Sequence, residues 1–481
     1  MLNVRYVHAH HDVTQEKFRL YLEGMLEHDK WRPAALTAER SFAQMAGLPS
    51  EKPLQFSSRR YRGTIGMPAR GAGDVFFRSG VIVSITNVRE PKRPEDRYSY
   101  EIMEYSPAAR LATLRQSILI GIVSKEDVDA EEILNDFLEA FEEQVATHTK
   151  SETPLKWEPI GLESPRLVKL LEKLTPEGAA TRFSNPDLSD ETVEGADVLS
   201  VQPNRELLRE LSEAGFGREA DILSRRGEKR EEVQAALADL AAAGLTHAEF
   251  LLACRATSAP LARFPTAEET QTGPIAAVRC GKCTRTYSQE LLSEGYSVSK
   301  LGRSLAQGSH WMTVWVTKRL VNLGIPLTSI VWNLEESSEE VDIIIELMSK
   351  LWIFELKDRE FGPGDAHPFN YRRVRYGADE AFVITTDKVS ADAKRVFGDL
   401  AGDSSGRTRT KPPTMIEGLE NVEKEIRKHL ELASYQRAVQ ALVMPSMMVG
   451  FALDGVIAEW VPSSSLPSGL VRHTGDLNYY I

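Results

Sequence analysis

The amino-acid sequence predicts a multidomain protein of the α/β class. A chain of 481 residues is long enough for about three domains of ordinary size. Hydrophobic residues make up 42% and charged residues 27%, which is typical of a folded globular protein and excludes a mainly disordered, collagen-like or membrane-spanning chain. Between residues 301 and 400, short β-branched and aromatic runs alternate with segments of helical period, and this order indicates an α/β layer.

Charge and cysteine content narrow the class further. The 58 basic and 70 acidic residues give a net charge of −12, which argues against a general nucleic-acid coat but permits a local basic site. Three cysteines exclude a disulfide scaffold and indicate a reducing compartment. Because the apolar stretches are shorter than the ~20 residues of a membrane helix, we expect a cytoplasmic protein without a membrane partner.

Shifts in composition divide the chain into seven segments. They are an N-terminal α+β domain for recognition or partner binding (1–150), a connector (151–203), a winged-helix-like unit (204–265), a segment like a degenerate zinc ribbon (266–300), an α/β domain (301–400), a linker (401–413) and a C-terminal α/β tail (414–481).

The N-terminal domain contains one basic stretch that stands out from the acidic chain. The predicted elements of this domain are two helices and a pair of strands, at 15–28, 130–148 and 74–88. The stretch at 52–73 has no acidic residue and includes Arg59, Arg60 and Arg62 among its basic residues, with aromatic residues between them. Such a stretch can bind a nucleic-acid backbone or a nucleotide, and the alternative is a surface loop that pairs with the acidic helix.

The middle of the chain resembles a winged helix. Three predicted helices and a hairpin follow one another, at 205–213, 218–226, 230–243, 249–255 and 260–264. The third helix would be the recognition helix, but Glu231, Glu232 and Asp239 at its exposed positions do not suit DNA. A protein-docking role therefore stands beside DNA contact for this unit.

The cysteines predict a zinc ribbon that has lost one ligand. Cys280 and Cys283 form a C-x-x-C pair, and Cys254 is followed three residues later by Thr257, where a ribbon would have a fourth cysteine. Structural zinc favours four nitrogen or sulfur ligands, so His247 is a candidate for the fourth. Zn²⁺ is thus one expected cofactor, and a metal-free degenerate ribbon is the alternative.

The most informative segment carries two acids and a lysine in a β-rich context. The predicted elements of the α/β domain and its approach are a helix over 286–324 with an interruption at Gly308, strands at 341–345, 351–356 and 381–386, and helices at 366–375 and 390–400. Asp342 opens the first strand, and Glu355-Leu356-Lys357 closes the second. Since strand side chains alternate between faces, Glu355 and Lys357 point the same way. Two carboxylates on one sheet edge suit Mg²⁺ or Mn²⁺, and the alternative is a surface ion pair.

These residues resemble the PD-(D/E)xK nuclease superfamily, which includes restriction endonucleases and Holliday-junction resolvases. The resemblance covers residues 308–400, about a fifth of the chain. GSHWMTVWVTKRLVNLGIP is similar to the first core helix of those enzymes, and VDIII and IFELK are similar to their catalytic strands. AFVITTDKVSADAKRVF is similar to the later strand and helix of Mrr-type and related defence nucleases.

The resemblance implies roles for individual residues. Asp342 and Glu355 would be metal ligands, the backbone carbonyl of Leu356 a third ligand, and Lys357 the catalytic lysine. Many relatives have a glutamate in the first helix just after the aromatic residue, whereas Trp311 is followed here by Met312 and Thr313. His310 is a candidate to replace that glutamate in part, and the alternative is a structural histidine, which is the more common role in a helix.

A basic helix follows the second catalytic strand. It carries Arg372, Arg373 and Arg375, which can hold a phosphate backbone, and Asn370, which can orient a substrate. The alternative is a solvated charged face.

Together these features predict a metal-dependent DNA endonuclease with a restriction-endonuclease-like core, acting as a restriction or antiphage-defence effector. Its expected partners are DNA and further subunits of a defence system, and a homo-oligomer is compatible with the sequence. The alternative is a non-catalytic nucleic-acid-binding or scaffold subunit with an inactive nuclease fold. The lost helix glutamate favours that alternative, and the intact acid–lysine set opposes it.

Overall fold

The protein is a mixed α/β chain that divides into two compact units. A computed structural model describes residues 1–11, 13–45, 73–78, 80–91, 114–149, 154–160, 166–175, 182–226, 229–336, 339–402, 411–449 and 453–462. Unit 1 comprises Met1–Ser164 and Arg427–Ile481, and unit 2 comprises Pro165–Ile426. Within the described ranges, no helix is both long and apolar enough to cross a membrane.

Unit 1 contains an antiparallel five-stranded sheet in the order β2-β3-β4-β1-β5. Its strands are β1 Leu2–His10, β2 Gly73–Arg78, β3 Val81–Pro91, β4 Leu114–Lys125 and β5 Glu158–Pro159. Its helices are Gln15–Glu27, Arg32–Met45, Ala130–Thr149, Asp454–Ala458 and most of Val422–Val449. Edge-to-face contacts among Trp31, Phe76 and Phe137 lie in its core.

The first half of unit 2 combines helices with a small antiparallel sheet in the order β7-β10-β8-β9. The strands are β6 Arg182–Ser184, which belongs to the sheet of the second half, and β7 Gly217–Arg218, β8 Thr246–Ala253, β9 Pro260–Phe264 and β10 Leu291–Val298. The helices are Arg166–Leu174, Asp190–Leu199, Gln202–Ala214, Glu219–Arg226, Arg230–Ala242, Glu268–Gln271 and Gly273–Ala276.

One sequence expectation in this half was wrong. The predicted helix over 286–324 begins late, because Leu291–Val298 is a strand that pairs along the whole of β8. Eight consecutive residue pairs join this strand to β8, and this tertiary pairing overrides a weak local helical pattern. The helical part is confined to Lys300–Ala306 and His310–Asn322, separated by a short turn at Gly308.

The second half of unit 2 is built on a six-stranded sheet in the order β15-β14-β13-β12-β11-β6. Its further strands are β11 Ile330–Glu336, β12 Glu339–Leu347, β13 Lys350–Lys357, β14 Glu380–Thr385 and β15 Thr414–Glu417. Strands β11, β12 and β13 are antiparallel, whereas β14 and β15 are parallel to β13. The helices Pro363–Tyr376 and Ala391–Gly402 pack their apolar residues on one face of this sheet.

Strand β11 was missed by the sequence analysis, although its neighbours were predicted. Its segment, IVWNLEE, has no regular alternation, and Asn333 adopts a left-handed backbone with φ of 50°. Trp332 pairs with Ile343 and Leu334 with Val341, so Asn333 and Asp342 lie between these pairs on adjacent strands. The irregular position of β11 therefore lies beside the acid that the sequence singled out.

Candidate functional site

Adjacent strands bring Asp342, Glu355 and Lys357 to one place, named here the acidic edge. Ile343 of β12 pairs with Phe354 of β13, so Asp342 and Glu355 are the next residues along the two strands. The backbone N–H of Leu356 donates a hydrogen bond to Asp342 Oδ2 at 2.6 Å. A sequence separation of 13 residues is thus closed by one antiparallel turn.

The carboxylate of Glu355 is buried and compensated by two cations. Lys357 Nζ lies 2.8 Å from Glu355 Oε1, and Arg372 Nη2 donates to Glu355 Oε2 at 2.9 Å. The side chains of Glu355 and Arg372 are only 5% and 7% exposed, while that of Lys357 is 23% exposed. Lys357 is therefore the member of this group that can reach a bound molecule.

Burial and neighbouring charge shift two pKa values at the acidic edge. Burial, and after it the charge of Glu355, raise the pKa of Asp342 to about 7 against the opposing effect of Lys357. Burial lowers the pKa of Lys357, but the charges of Glu355 and Asp342 outweigh it, and the net shift is upward. Lys357 is consequently a stable cation at neutral pH rather than a proton acceptor.

The donor set of the acidic edge fits a hard divalent cation. Carboxylate oxygens of Asp342 and Glu355 are the ligands that Mg²⁺ and Mn²⁺ prefer. The raised pKa of Asp342 shows that a further positive charge is favourable there. Each carboxylate has about four lone-pair sites, so the contacts of Glu355 with Lys357 and Arg372 leave acceptor capacity.

His310 does not complete this site. Its ring packs edge-to-face on Trp332 at 5.4 Å, and burial lowers its pKa. Trp332 pairs with Ile343, whose side chain points to the face opposite that of Asp342. The expectation that His310 partly replaces the lost helix glutamate is therefore wrong.

The basic helix Pro363–Tyr376 presents one of its three arginines to solvent. Arg372 is buried on Glu355, and Arg373 is buried with its guanidinium on Asn370 Oδ1 and the backbone carbonyl of Lys411. The expectation that these two arginines contact a phosphate backbone is therefore wrong, because an ion pair and internal hydrogen bonds already engage their guanidinium groups. Arg375 is exposed and contacts the ring of Tyr371. Asn370 holds Arg373 rather than facing a substrate.

The predicted basic residues Arg59, Arg60 and Arg62 lie outside the described residues.

A second charged anchor, which was not predicted from the sequence, follows Lys357 directly. The buried carboxylate of Asp358 accepts from Arg205 at 3.1 Å and from Arg209 at 2.7 Å. Arg205 also lies over the ring of Trp311 at 5.2 Å. The helix Gln202–Ala214 thereby holds the end of β13, which positions Lys357.

The three predicted cysteines lie together with Glu290, and this group is named here the cysteine cluster. One ligand atom from each of Cys254, Cys280, Cys283 and Glu290 lies within 4.8 Å of every other, an arrangement that can hold a metal ion. The expectation that His247 is the fourth ligand was wrong, because His247 Nε2 forms a hydrogen bond with Glu249 Oε1 at 2.9 Å. No sequence motif links Glu290 to the cysteines. The pairing register of β8 and β10 is what brings Glu290 beside Cys254.

Comparisons with solved structures include weak similarities to two proteins. No family model and no curated protein matches the chain. A structure of protein VC1899 from Vibrio cholerae matches 55% of this chain and 62% of its own length, at 14% identity and a TM-score of 0.32. A protein of unknown function, AF1548, matches 31% of this chain and 95% of its own length, at 15% identity and a TM-score of 0.19. This chain therefore covers less than two thirds of the Vibrio cholerae protein. At TM-scores this low, neither match establishes a shared fold or function.

Proposed function

We propose that the protein is a metal-dependent DNA endonuclease of the PD-(D/E)xK type. The observation that carries this proposal is the convergence of Asp342, Glu355 and Lys357 on adjacent strands, with the lysine held as a cation. The element order supports it: the helix His310–Asn322 precedes three antiparallel strands, and the next strand, β14, is parallel to β13. The proposed place in restriction or antiphage defence, with further subunits, rests on analogy alone.

The chain's own residues have distinct parts in this proposal. Asp342 and Glu355, with the carbonyl of Leu356, would hold Mg²⁺ or Mn²⁺, which when bound neutralises phosphate charge and favours a deprotonated water. Lys357 places a second positive charge beside the phosphate oxygens, where negative charge develops during hydrolysis. Arg372 positions Glu355 through its hydrogen bond to Glu355 Oε2, and the ion pair of Asp358 with Arg205 fixes the backbone that follows Lys357.

A cleavage assay tests the proposal directly. Single- and double-stranded DNA and RNA are incubated with the purified chain in Mn²⁺, in Mg²⁺ and without divalent cation. We expect cleavage of DNA that requires the cation and is lost in Asp342→Asn. Cleavage that persists unchanged in that variant would assign the activity to another site.

Two observations favour the alternative, a non-catalytic nucleic-acid-binding or scaffold subunit with an inactive nuclease fold. Arg372 already occupies Glu355 Oε2 as a cation would, and the helix glutamate after Trp311 is absent. A scaffold of this kind predicts no cleavage and no Mn²⁺ binding at the acidic edge. Electron paramagnetic resonance titration of Mn²⁺ into wild type and Asp342→Asn separates the two functions. The endonuclease requires an Mn²⁺ site in wild type that the variant loses, whereas the scaffold requires no such site in either protein.

A further inference from the structure

Two turns in unit 2 share one backbone design although they differ in sequence. In the turn that begins at Cys254, the N–H of Cys254 donates to the carbonyl five residues later, and Ser258 N–H donates back to the carbonyl of Cys254. In the turn that begins at Cys280, the N–H of Cys280 donates to Arg285, and Thr284 N–H donates back to Cys280.

The match extends to strained backbone positions. Ser258 has φ of 52° and Thr284 has φ of 67°, and each is the fourth residue after its cysteine. A left-handed conformation is uncommon for residues other than glycine and asparagine, so its recurrence at equivalent positions indicates a shared requirement. In both turns, backbone N–H groups approach the first cysteine sulfur: Lys282 N lies 3.4 Å from Cys280 Sγ, and Ala256 and Thr257 approach Cys254 Sγ.

The second position of each pair is where the turns differ. Cys283 is the third residue after Cys280, while Thr257 is the third residue after Cys254. Glu290 lies beside the three cysteines in place of a fourth cysteine. Leu291 of β10 pairs with Ala253 of β8, so Glu290 and Cys254 are the next residues along these two strands.

The charge of Glu290 is buried in this cluster. Glu290 is 5% exposed, and its Oε1 lies 2.6 Å from Cys283 Sγ while its Oε2 accepts from Arg255 N–H. A carboxylate and a thiol this close share either a proton or a cation. Since Cys254 and Cys280 are also buried beside them, one cation would contact all four groups, whereas a shared proton joins only Cys283 and Glu290.

We propose that the cysteine cluster binds one structural Zn²⁺ ion. Three thiolates and a carboxylate complete the four ligands that structural zinc requires, and carboxylates are known zinc donors. With zinc–sulfur distances of about 2.3 Å, tetrahedral ligand atoms lie roughly 3.5–3.8 Å apart, which the present spread within 4.8 Å accommodates.

The ion would replace a hydrophobic core that this region does not contain. Between Cys254 and Glu290 the regular elements are β9 and short helical segments, and in this span Thr270 and Cys280 are the buried residues between the two ends. Zinc would therefore tie the β8–β9 turn, the second turn and the start of β10 to one point. The site is separate from the acidic edge, so its test is independent of nuclease activity.

Metal content and thiol reactivity of the full chain test the proposal. All three cysteines of the chain belong to the cluster, so every reactive thiol reports on it. We expect one zinc per chain by mass spectrometry under reducing conditions, thiols protected from a colorimetric reagent, and release of three thiols together with zinc on treatment with a strong chelator. Reduced, folded protein that carries no zinc and takes up none would overturn the proposal.

Variants assign the ligands. Cys280→Ser should lose the zinc, and Glu290→Gln should weaken zinc affinity by at least about 10-fold while the fold persists. Replacement of zinc by Co²⁺ should give a tetrahedral absorption spectrum that gains thiolate-to-metal intensity in Glu290→Cys. His247→Ala is the matched control and should leave zinc content unchanged.

Failure of Cys280→Ser to fold does not block the test, since the Co²⁺ spectra use wild type and Glu290→Cys. Zinc retained in full by Glu290→Gln, with an unaltered Co²⁺ spectrum in Glu290→Cys, would remove Glu290 from the site. Zinc retained by a folded Cys280→Ser variant would place the ion elsewhere.

Discussion

The acidic edge and the cysteine cluster solve the problem of buried charge in different ways. At the acidic edge, Lys357 and Arg372 neutralise Glu355 from within the protein. At the cysteine cluster, backbone N–H groups and shared protons surround three thiols and the buried carboxylate of Glu290. Hard oxygen donors at the first site suit Mg²⁺ or Mn²⁺, whereas soft sulfur donors at the second suit Zn²⁺. From the two proposals we predict that removal of metal affects activity at the acidic edge and local structure at the cysteine cluster.

The largest expected effect is on catalysis at the acidic edge. Lys357→Ala removes a positive charge that is already in place, and loss of one such group typically costs ~10²–10³ in rate. We expect the rate of DNA cleavage to fall by about this factor, measured under single-turnover conditions in Mn²⁺. Lys350→Ala, at the other end of β13, is the control and should keep near-wild-type cleavage. Equal rates in the Lys357 variant and wild type would assign Lys357 a structural role.

The internal neutralisation of Glu355 is tested by Arg372→Met. Removing one partner of a buried ion pair costs about 3–5 kcal/mol, and the remaining contact with Lys357 should keep the loss near the lower value. Urea unfolding of wild type and variant measures the difference. Because Mn²⁺ can then compensate Glu355, the cation should restore part of the stability of the variant.

Arg375→Met is the matched control for Arg372→Met. Arg375 lies on the same helix but is exposed, so its removal should change the free energy of unfolding by less than about 0.5 kcal/mol. Similar losses in both variants would show that the contact with Glu355 contributes nothing specific.

The pKa of Asp342 predicts how stability depends on pH without added cation. Its native value of about 7 is above the ~3.9 of an unfolded aspartate, so the native state binds the proton more tightly. That contribution to stability is complete below pH ~4 and is lost as pH rises through 7. Asp342→Asn does not titrate and should be more stable than wild type at pH 8, by on the order of 2–4 kcal/mol, with a smaller difference at pH 5.

Urea unfolding at both pH values, in buffer freed of Mg²⁺ and Mn²⁺, measures the effect. A stability difference that does not change with pH would show that Asp342 is ionised in the native state throughout this range. Addition of Mn²⁺ should narrow the difference at pH 8, because only the wild-type carboxylate can bind the cation.

The smallest expected effect concerns DNA affinity. Arg375 is the exposed arginine of its helix, and Arg375→Glu should weaken DNA binding several-fold regardless of sequence and lower the salt slope by about 1. Fluorescence anisotropy at several salt concentrations measures both quantities. Arg373→Lys serves as a comparison, since a buried arginine that bonds Asn370 should affect folding before it affects binding.

Local sequence pattern was sufficient for the elements of the acidic edge. Runs of β-branched and aromatic residues located β12, β13 and β14, because strands buried on both faces require such residues. Strand alternation then placed Glu355 and Lys357 on one side, and a short turn brought Asp342 beside them. The assignment of these residues to a nuclease stays a prediction.

Features that depend on distant partners were missed or misassigned. The run of arginines that contains Arg372 and Arg373 is typical of an exposed basic helix face. Only the packing of the helix on the sheet buries these two residues. The strand Leu291–Val298 has the local pattern of a helix and becomes a strand through its pairing with β8.

By itself, the sequence determined the chemistry available to this protein: a mixed α/β chain, two acids and a lysine on neighbouring strands, and three cysteines in two turns. The tertiary structure alone decided which groups share a space. Arg372 contacts Glu355 across 17 positions of the sequence, and Glu290 lies beside Cys254 across 36 positions. Hydrophobic period and turn chemistry act over a few residues, whereas strand register and helix packing fix such contacts only when the whole core assembles.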